Sequence, residues 1–115
     1  GDRALQQMAR CLREMARERD CVARYGGEEF ATVLVGAGAA GARTALERVR
    51  DAWQDAGGPT SFSAGIAVSR SGELPGDTLR RADASLYAAK AKGRDRIVVS
   101  AFTDGTVVDE ASVLR

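Results

Sequence analysis

The sequence predicts a layered α/β (α+β) sandwich, in which helices flank a mixed, largely antiparallel central sheet. Three observations predict it. Two apolar runs typical of strands, residues 21–25 and 30–35, flank a short bend and predict a hairpin. Three other segments repeat apolar residues every third or fourth position, the spacing of one helix face. Residues 62–68 alternate in polarity with the period of a strand.

The first predicted helix spans Ala4 to Arg19. Its apolar residues fall on a single stripe made of Leu5, Met8, Leu12 and Met15, with Cys11 beside it. Asp2 stands where an N-cap residue would stand, because an aspartate side chain can accept from the first N–H groups of a helix.

The second predicted helix spans Ala39 to Ala56, and Gly57, Gly58 and Pro59 end it. Its stripe consists of Ala42, Leu46, Val49 and Trp53. The alternation that follows, from Ser61 to Ser69, predicts a strand with one buried face.

The third predicted helix runs from Thr78 to Lys92, with Asp77 as its N-cap and Gly93 as its stop. Leu79, Ala82, Leu86 and Ala89 form its stripe, and Ile97 to Val99 is a short final strand. The domain is therefore expected to cover residues 1–100. Residues 101–115 form a tail with Asp104-Gly105 at its centre, which is either an extra hairpin or a linker.

Composition places these 115 residues in one soluble globular domain, with 44% apolar and 29% charged residues. The net charge of +1 favours no particular partner, and nothing predicts binding to DNA, RNA or a membrane. With no histidine and only Cys11 and Cys21, a zinc site is not expected and both thiols should be free. Without an apolar run of spanning length or a signal peptide, the expected location is cytoplasmic.

The predicted hairpin bend contains Gly26 and Gly27 followed by Glu28 and Glu29. Glycine can adopt positive φ and has no Cβ, so the backbone can turn tightly and a ligand can approach it. Two adjacent carboxylates repel each other unless a cation or a proton intervenes. The residue types alone leave two interpretations open: a rigid metal or phosphate site, or a solvated turn that contains two acids.

The string Arg24-Tyr25-Gly26-Gly27-Glu28-Glu29-Phe30 resembles the signature of the GGDEF family, the bacterial diguanylate cyclases, in its Gly-Gly-Glu-Glu-Phe form. Residues 63–67 resemble that family's central strand, and residues 81–90 with Gly93-Arg94 resemble its last helix and phosphate-side turn. The three motifs occur in the family's order, and the resemblance extends from Gly1 to about Ser100. It implies a nucleotide-cyclase-like fold.

The resemblance implies an enzyme that condenses two GTP molecules into cyclic di-GMP, with one GTP held by each half of a homodimer. Each 3′-hydroxyl would attack the α-phosphate of the opposite nucleotide, and Mg²⁺ or Mn²⁺ ions would neutralise the developing charge. Glu28 and Glu29 would be metal ligands, and Glu29 could also activate the 3′-hydroxyl. The implied substrate-binding residues are Asp2 for guanine, Gly26 and Gly27 for close approach, and Lys90 and Arg94 for the terminal phosphates. The alternative for Lys90 and Arg94 is that they are surface cations that only complement a helix C-terminus.

The resemblance also implies an inhibitory cyclic di-GMP site at an Arg-x-x-Asp pattern that ends shortly before the hairpin. Arg17 to Asp20 has the family's offset, whereas Arg48 to Asp51 and Arg80 to Asp83 match the pattern alone. An arginine can fork onto guanine N7 and O6 or onto a phosphate, and an aspartate can accept from guanine N1 and N2. Arg48 matches a further arginine of this site, with Arg24 expected near by; a solvated helix charge is the alternative for Arg48.

The family places a first strand, with a metal-binding aspartate, ahead of the position of Gly1. We therefore predict a domain truncated at its N-terminus, lacking a central strand and inactive on its own. Exposed sheet edges should then favour dimerisation or strand exchange. Three functions stay open: a diguanylate cyclase domain of a larger bacterial sensor, a non-catalytic cyclic di-GMP receptor, or a dimerisation module.

Overall fold

The computed structural model describes residues 2–27, 29–57, 62–100 and 109–114, with Asp2 and the last segment described by their backbone alone. In this part of the chain, three helices and five strands follow one another in the order αββαβαββ. The helices are α1 (Asp2–Met15), α2 (Gly38–Asp55) and α3 (Pro75–Ala91). The strands are β1 (Cys21–Arg24), β2 (Phe30–Val35), β3 (Ala64–Val68), β4 (Ile97–Val99) and β5 (Asp109–Leu114).

The strands form one mixed, largely antiparallel sheet in the order β1-β2-β5-β3-β4. β1 pairs antiparallel with β2, and β5 pairs antiparallel with both β2 and β3. Only the short β3–β4 pair among these described strands is parallel. The fold class predicted from the sequence is confirmed.

Helices α1 and α2 cover one face of the sheet, and their apolar stripes are as predicted. Ala42, Leu46, Val49 and Trp53 of α2 are all buried, as are Met8, Cys11 and Leu12 of α1. They pack against Phe30 and Leu34 of β2 and against Ala64 and Ile66 of β3. Helix α1 ends at Met15 rather than at Arg19, because the chain turns back at residues 17–20 toward β1.

Helix α3 covers the opposite face, where Ala82 and Leu86 pack against Ala67 of β3. All five residues of β3 are buried, so the prediction of a strand with one buried face was wrong. The small residues on its second face are contacts for α3 and not a solvated surface. The prediction of Asp77 as N-cap was also wrong, because the helix begins at Pro75, whose fixed φ suits a first turn, with Leu74 at the N-cap.

The C-terminal tail contributes to the centre of the sheet. Residues 109–114 form β5 and lie between β2 and β3, whereas the bend predicted at Asp104-Gly105 lies outside the described residues. Because β5 pairs on both sides, the gap expected from a missing central strand is closed by the chain itself. The described sheet therefore has no open edge between β2 and β3.

Two further features concern the cysteines and the hydropathy of the described helices. Cys11 is buried and Cys21 is exposed, and both are free thiols. None of the described helices combines the length and the hydropathy that crossing a bilayer requires.

Candidate functional site

The predicted site residues fall into two groups at opposite ends of the sheet. Phe30 pairs with Arg24 across the hairpin and with Leu114 of β5, and Leu114 also pairs with Ala64 of β3. We call this end, with the bend at residues 25–29, the hairpin end. Asp20 lies beyond the other terminus of β1, next to Val35, and we call that end the groove end.

Backbone hydrogen bonds close the hairpin bend. The N–H groups of Tyr25 and Gly26 both donate to the Glu29 carbonyl, at 2.9 and 3.4 Å. The Arg24 guanidinium donates to the Gly27 carbonyl at 2.5 Å and lies over the Phe30 ring, 5.6 Å from its centroid. A cation over an aromatic face adds a modest attraction, so Arg24 supports the bend itself.

The two glycines of the bend leave its surface open. Neither has a positive φ, contrary to the reason that the sequence suggested for a tight turn here. A Cβ added at Gly27 would meet no atom within 4 Å, and one at Gly26 would only touch the Glu29 side chain at 3.8 Å. Because no protein atoms cover this surface among the described residues, a ligand could lie against it.

The bend carries the two acids that the sequence suggested as metal ligands, Glu28 and Glu29. Glu29 is half-buried, and Glu28 lies outside the described residues. No group of three His, Cys, Asp or Glu residues that could hold a metal exists in the described ranges. Mg²⁺ is usually bound by one or two carboxylates together with substrate phosphates and water. An acidic bend of this kind could hold an ion that also binds the phosphates of a nucleotide.

The turn between α3 and β4 also lies at the hairpin end, because the Ala64 N–H donates to the Arg96 carbonyl at 2.9 Å. Lys90 belongs to the last turn of α3, and the Arg94 N–H donates to the Ala89 carbonyl, also at 2.9 Å. Arg94 and Asp95 have φ values of 65° and 49°, which are uncommon for residues other than glycine. The structure thus fixes the backbone that carries Arg94.

Two contacts that the sequence did not reveal hold this turn. The Arg50 guanidinium of α2 pairs with the Asp95 carboxylate at 2.5 Å, and the Asp95 N–H donates to the Ser63 hydroxyl at 3.1 Å. Arg50 and Asp95 are 45 residues apart in the sequence, so no local pattern connects them. Such contacts can offset the cost of about 1–3 kcal/mol of an unusual backbone conformation.

Helix α1 begins at the hairpin end. Its first half lines a small cavity of about 290 Å³ together with the end of β1, through Leu5, Gln6 and Ala9 on the helix and Arg24 on the strand. Asp2 is the first residue of α1, and its side chain lies outside the described residues. The backbone of Asp2, the glycines, Glu29, Lys90 and Arg94 therefore share one end of the sheet.

Arg17, Asp20 and Arg48 line a single groove of about 760 Å³ between α1 and α2 at the groove end. Both arginines are exposed, and Asp20 is half-buried. Apolar residues of the two helices and of β2 complete the lining, among them Cys11, Met15, Leu34 and Val49. The groove combines cationic groups, a carboxylate and an apolar floor.

The main chain holds the Asp20 carboxylate in place. Oδ2 accepts from the Arg17 N–H and Oδ1 accepts from the Val35 N–H, both at 2.9 Å. Each carboxylate oxygen can accept a second hydrogen bond, so Asp20 can still receive a donor from a ligand. Its orientation is set before any ligand arrives.

Replacing Asp20 with alanine should lower the free energy of unfolding by about 1–3 kcal/mol, because two backbone N–H groups lose their acceptor. Urea denaturation of both proteins measures this. Glu18→Ala is the control, since Glu18 is exposed and near in sequence, and it should stay within about 0.5 kcal/mol. Equal stability of all three proteins would show that the bonds of Asp20 add nothing.

Arg24 was predicted to lie near Arg17 and Asp20, and the structure contradicts this. β1 is extended, so Arg24 lies roughly 13 Å from Asp20 along the strand, at the hairpin end. Arg24 lines the small cavity there and not the groove.

A half-buried ion pair between Arg81 and Glu73 connects α3 to the end of β3. The sequence alone did not predict this pair. Arg81 donates to both carboxylate oxygens of Glu73, at 2.7 and 2.8 Å, and to the Val68 carbonyl at 2.6 Å. The Thr78 hydroxyl and the Arg70 N–H also donate to Glu73, at 2.7 and 3.1 Å. These bonds, above all those from Arg81, hold the pKa of Glu73 well below its usual range, although burial opposes the shift.

The fold and the acidic Gly-Gly hairpin place the chain among the nucleotide-cyclase-like α+β domains. The family model described as "Diguanylate cyclase, GGDEF domain" matches residues 1–96. The chain therefore belongs to the GGDEF-domain family.

Two curated relatives illustrate the sequence similarity. The chain is 39% identical to diguanylate cyclase DgcP of Pseudomonas aeruginosa, over 87% of the chain and 16% of DgcP. It is 34% identical to the response regulator PleD of Caulobacter vibrioides, over 85% of the chain and 24% of PleD. The chain thus spans less than a third of the length of these relatives.

Two solved structures are similar in fold. The GGDEF domain of DgcB from Caulobacter crescentus, solved in complex with c-di-GMP, matches with a TM-score of 0.76 and 30% identity over 86% of this chain and 64% of that one. Diguanylate cyclase SiaD of Pseudomonas aeruginosa, solved in complex with its activator SiaC, matches with a TM-score of 0.73 and 36% identity over 85% of this chain and 40% of that one.

Proposed function

We propose that this chain is the guanine-nucleotide-binding domain of a diguanylate cyclase, which binds cyclic di-GMP at the groove end and GTP at the hairpin end. The observation that carries the proposal is that Arg17 and Asp20, which precede β1, line one groove together with Arg48 of α2. Gly26, Gly27, Glu29, Lys90 and Arg94, which are implied for GTP, belong to segments at the other end of the sheet. Product and substrate can therefore occupy different places on one domain.

The chemistry of the groove suits a cyclic dinucleotide. Its volume of about 760 Å³ lies within the usual range of small-molecule pockets. Arg17 and Arg48 can fork onto guanine N7 and O6 or onto phosphate oxygens, and Asp20 can accept from the guanine N1 and N2 donors. The apolar floor offers contact area to the bases. The similarity to a GGDEF domain solved with c-di-GMP supports this choice of ligand.

We expect Arg17→Ala and Arg48→Ala each to weaken the binding of cyclic di-GMP by about tenfold or more, because each good bidentate contact is worth roughly 1–3 kcal/mol. Isothermal titration calorimetry of the full chain measures this. Arg19→Ala is the matched control, because Arg19 is exposed, adjoins Asp20 and does not line the groove.

The control separates specific recognition from general electrostatic attraction. If Arg19→Ala weakens binding as much as Arg17→Ala does, the ligand responds to local charge and the groove assignment is wrong. Asp20 is unsuited to this comparison, since its replacement also removes two backbone hydrogen bonds.

At the hairpin end, Glu28 and Glu29 would hold Mg²⁺ or Mn²⁺ together with the triphosphate of GTP. The ion would neutralise negative charge on the phosphate oxygens, because few cationic side chains are implied at this end of the sheet. Gly26 and Gly27 would let the nucleotide lie on the open bend, and Lys90 and Arg94 would bind the terminal phosphates. Asp2 would accept from guanine. Cyclisation would need two such domains facing each other, so we propose a homodimer as the active form.

We predict that the 115-residue chain, incubated with GTP and Mg²⁺, binds GTP but forms no measurable cyclic di-GMP. The residue of β5 that pairs with Phe30, next to the bend, is Leu114, which offers no carboxylate to a metal ion. Anion-exchange chromatography of the nucleotides measures turnover. Steady formation of cyclic di-GMP would show that the metal site is complete in this chain.

A second comparison tests the phosphate contacts. Lys90→Ala should weaken Mg²⁺–GTP binding by about tenfold, whereas Lys92→Ala should change it little, because Lys92 is exposed and lies past the end of α3. Equal effects of the two substitutions would argue for non-specific attraction at the helix C-terminus.

A non-catalytic receptor for cyclic di-GMP is the second candidate function. It is favoured by the groove, where Arg17, Asp20 and Arg48 lie together and could bind cyclic di-GMP whether or not the domain turns over GTP. Binding at the groove without turnover would support it for this chain, and turnover would exclude it.

A further inference from the structure

The turn between α3 and β4 has an unusual backbone. Gly93, Arg94 and Asp95 follow one another with φ values of 117°, 65° and 49°. Glycine adopts positive φ readily, and aspartate does so more often than most residues, whereas arginine seldom does. The conformation therefore costs free energy chiefly at Arg94, which the proposed function assigns to the terminal phosphates of GTP. Such a conformation persists only where the surrounding structure holds it.

Helix α3 holds the first part of this turn. The Gly93 N–H donates to the Lys90 carbonyl at 3.3 Å, and the Arg94 N–H donates to the Ala89 carbonyl at 2.9 Å. These two bonds form a Schellman motif, in which a glycine takes the left-handed position just after the helix. The motif accounts for the positive φ of Gly93, but not for those of Arg94 and Asp95.

Two contacts hold the second part of the turn, and both involve Asp95. Its N–H donates at 3.1 Å to the hydroxyl of Ser63, which is only 2% exposed. Its carboxylate pairs with the Arg50 guanidinium of α2 at 2.5 Å. Ser63 thus holds the main chain of Asp95, and Arg50 holds its side chain. Arg94 lies between the end of α3 on one side and these two contacts on the other.

The exposure of the ion pair indicates what it contributes. The side chains of Arg50 and Asp95 are 33% and 46% exposed. An ion pair this open to solvent adds little to the stability of a whole domain. Its main effect is therefore local, because it restricts the backbone that carries Arg94.

We propose that Arg50 is a positioning residue for the phosphate contact of Arg94 and that it acts through Asp95. This inference rests on the proposed GTP site at the hairpin end. Without the ion pair, the turn adopts further conformations and no longer presents Arg94 in a single geometry. Binding the triphosphate must then also order the turn, and this lowers the affinity for GTP. Arg50 itself does not contact the nucleotide.

The direction of the effect at Asp95 separates positioning from charge. Removing a carboxylate beside a phosphate site should tighten the binding of Mg²⁺–GTP if charge alone acts. Positioning predicts that Asp95→Ala weakens it about threefold to fivefold, the scale of a partly exposed ion pair. Asp95→Asn should bind at least as tightly as the wild-type chain, because asparagine tolerates positive φ and can still accept from Arg50. Isothermal titration calorimetry of the full chain measures these affinities.

A double-mutant cycle tests whether Arg50 acts through Asp95. Arg50→Ala should weaken Mg²⁺–GTP binding about threefold to fivefold in the wild-type chain and should have no further effect in Asp95→Ala. Arg43→Ala is the matched control, because Arg43 lies about two turns earlier on α2 and donates to the Ile97 carbonyl at 3.3 Å instead of to the turn. It should leave the affinity unchanged.

The outcomes distinguish this proposal from the GTP site on which it rests. The positioning role alone is overturned if Asp95→Ala binds more tightly, if Asp95→Asn binds as weakly as Asp95→Ala, or if Arg50→Ala has the same effect in both backgrounds. Failure of the wild-type chain to bind Mg²⁺–GTP would overturn the GTP site itself, and the positioning role with it.

Discussion

Gly65→Ala should lower the free energy of unfolding by about 3 kcal/mol or more, at the upper end of the effects of overpacking. A Cβ at this position would overlap backbone atoms of Ala82 and Leu86 in α3. Backbone cannot move aside as the tip of a flexible side chain can, so α3 would have to shift as a whole. That shift would disturb the packing of Ala67 against the same helix.

Urea denaturation, monitored by circular dichroism, measures the effect. A loss of this size is a large part of the total stability of a small domain, which is about 5–15 kcal/mol. Gly76→Ala is the matched control within α3. A Cβ there would meet only the end of the Arg80 side chain at 3.9 Å, and alanine suits a helix better than glycine. The control should be neutral or more stable by up to about 1 kcal/mol. Similar stabilities of Gly65→Ala and the wild-type chain would contradict the close contact of α3 with β3.

Arg81→Leu should destabilise the domain by about 3–5 kcal/mol, because it leaves the Glu73 carboxylate half-buried without its main partner. The side chains of Arg81 and Glu73 are 18% and 10% exposed. The substitution also removes the donors to the Val68 carbonyl and to the Ser100 hydroxyl. One side chain connects α3, the end of β3 and the end of β4.

The neighbouring residue provides the control for Arg81→Leu. Arg80 is 74% exposed and pairs with Asp77 within the first turns of α3. Arg80→Leu should change the free energy of unfolding by less than about 0.5 kcal/mol, as exposed ion pairs usually do. If the two leucine variants have the same free energy of unfolding, the ion pair between Arg81 and Glu73 does not stabilise the domain as we describe.

The same ion pair makes stability depend on pH. The pKa of Glu73 is lower in the folded protein than its ordinary value of 4.5, chiefly because of Arg81, so the unfolded chain binds more protons as the pH falls. The stabilisation from Glu73 is therefore complete above about pH 4.5 and decreases as the pH falls below that value. Glu73→Gln should be less stable at pH 7 and should lose less stability on acidification, as thermal melts between pH 3 and 7 would show.

Much of the fold could be predicted because it follows from local patterns. The stripe of Ala42, Leu46, Val49 and Trp53 is the buried face of α2, and the run from Phe30 to Val35 is a strand with alternating burial. Each of these patterns reports directly which face of an element meets the core.

The errors arose where a residue's partner is distant in the sequence. The small residues Gly65 and Ala67 look like a solvated face until α3 is placed on them. Residues 109–114 have too weak a strand pattern to suggest a central position, and they acquire it by pairing with β2 and β3. Polarity within a segment cannot reveal pairing of this kind.

Part of the candidate site could also be predicted from the sequence, and part of it could not. Offset from the hairpin singled out Arg17 and Asp20, and the groove indeed brings them together with Arg48. Arg24 was expected near them as a residue of the adjoining strand, but β1 is extended and carries Arg24 to the hairpin end. The pairs Arg50–Asp95 and Arg81–Glu73 carry no signal in either local segment and needed the fold to be found.

The central claim is that cyclic di-GMP binds at the groove end, away from the hairpin. The most direct measurement is a titration of the ¹⁵N-labelled chain with cyclic di-GMP, followed by amide chemical shifts. We predict the largest changes at residues 17–20 and along α2 from Ala40 to Arg48, with little change at Tyr25 to Gly27 or at Arg94. Changes centred on the hairpin bend and Arg94, with the groove residues unaffected, would contradict the assignment of the two ends.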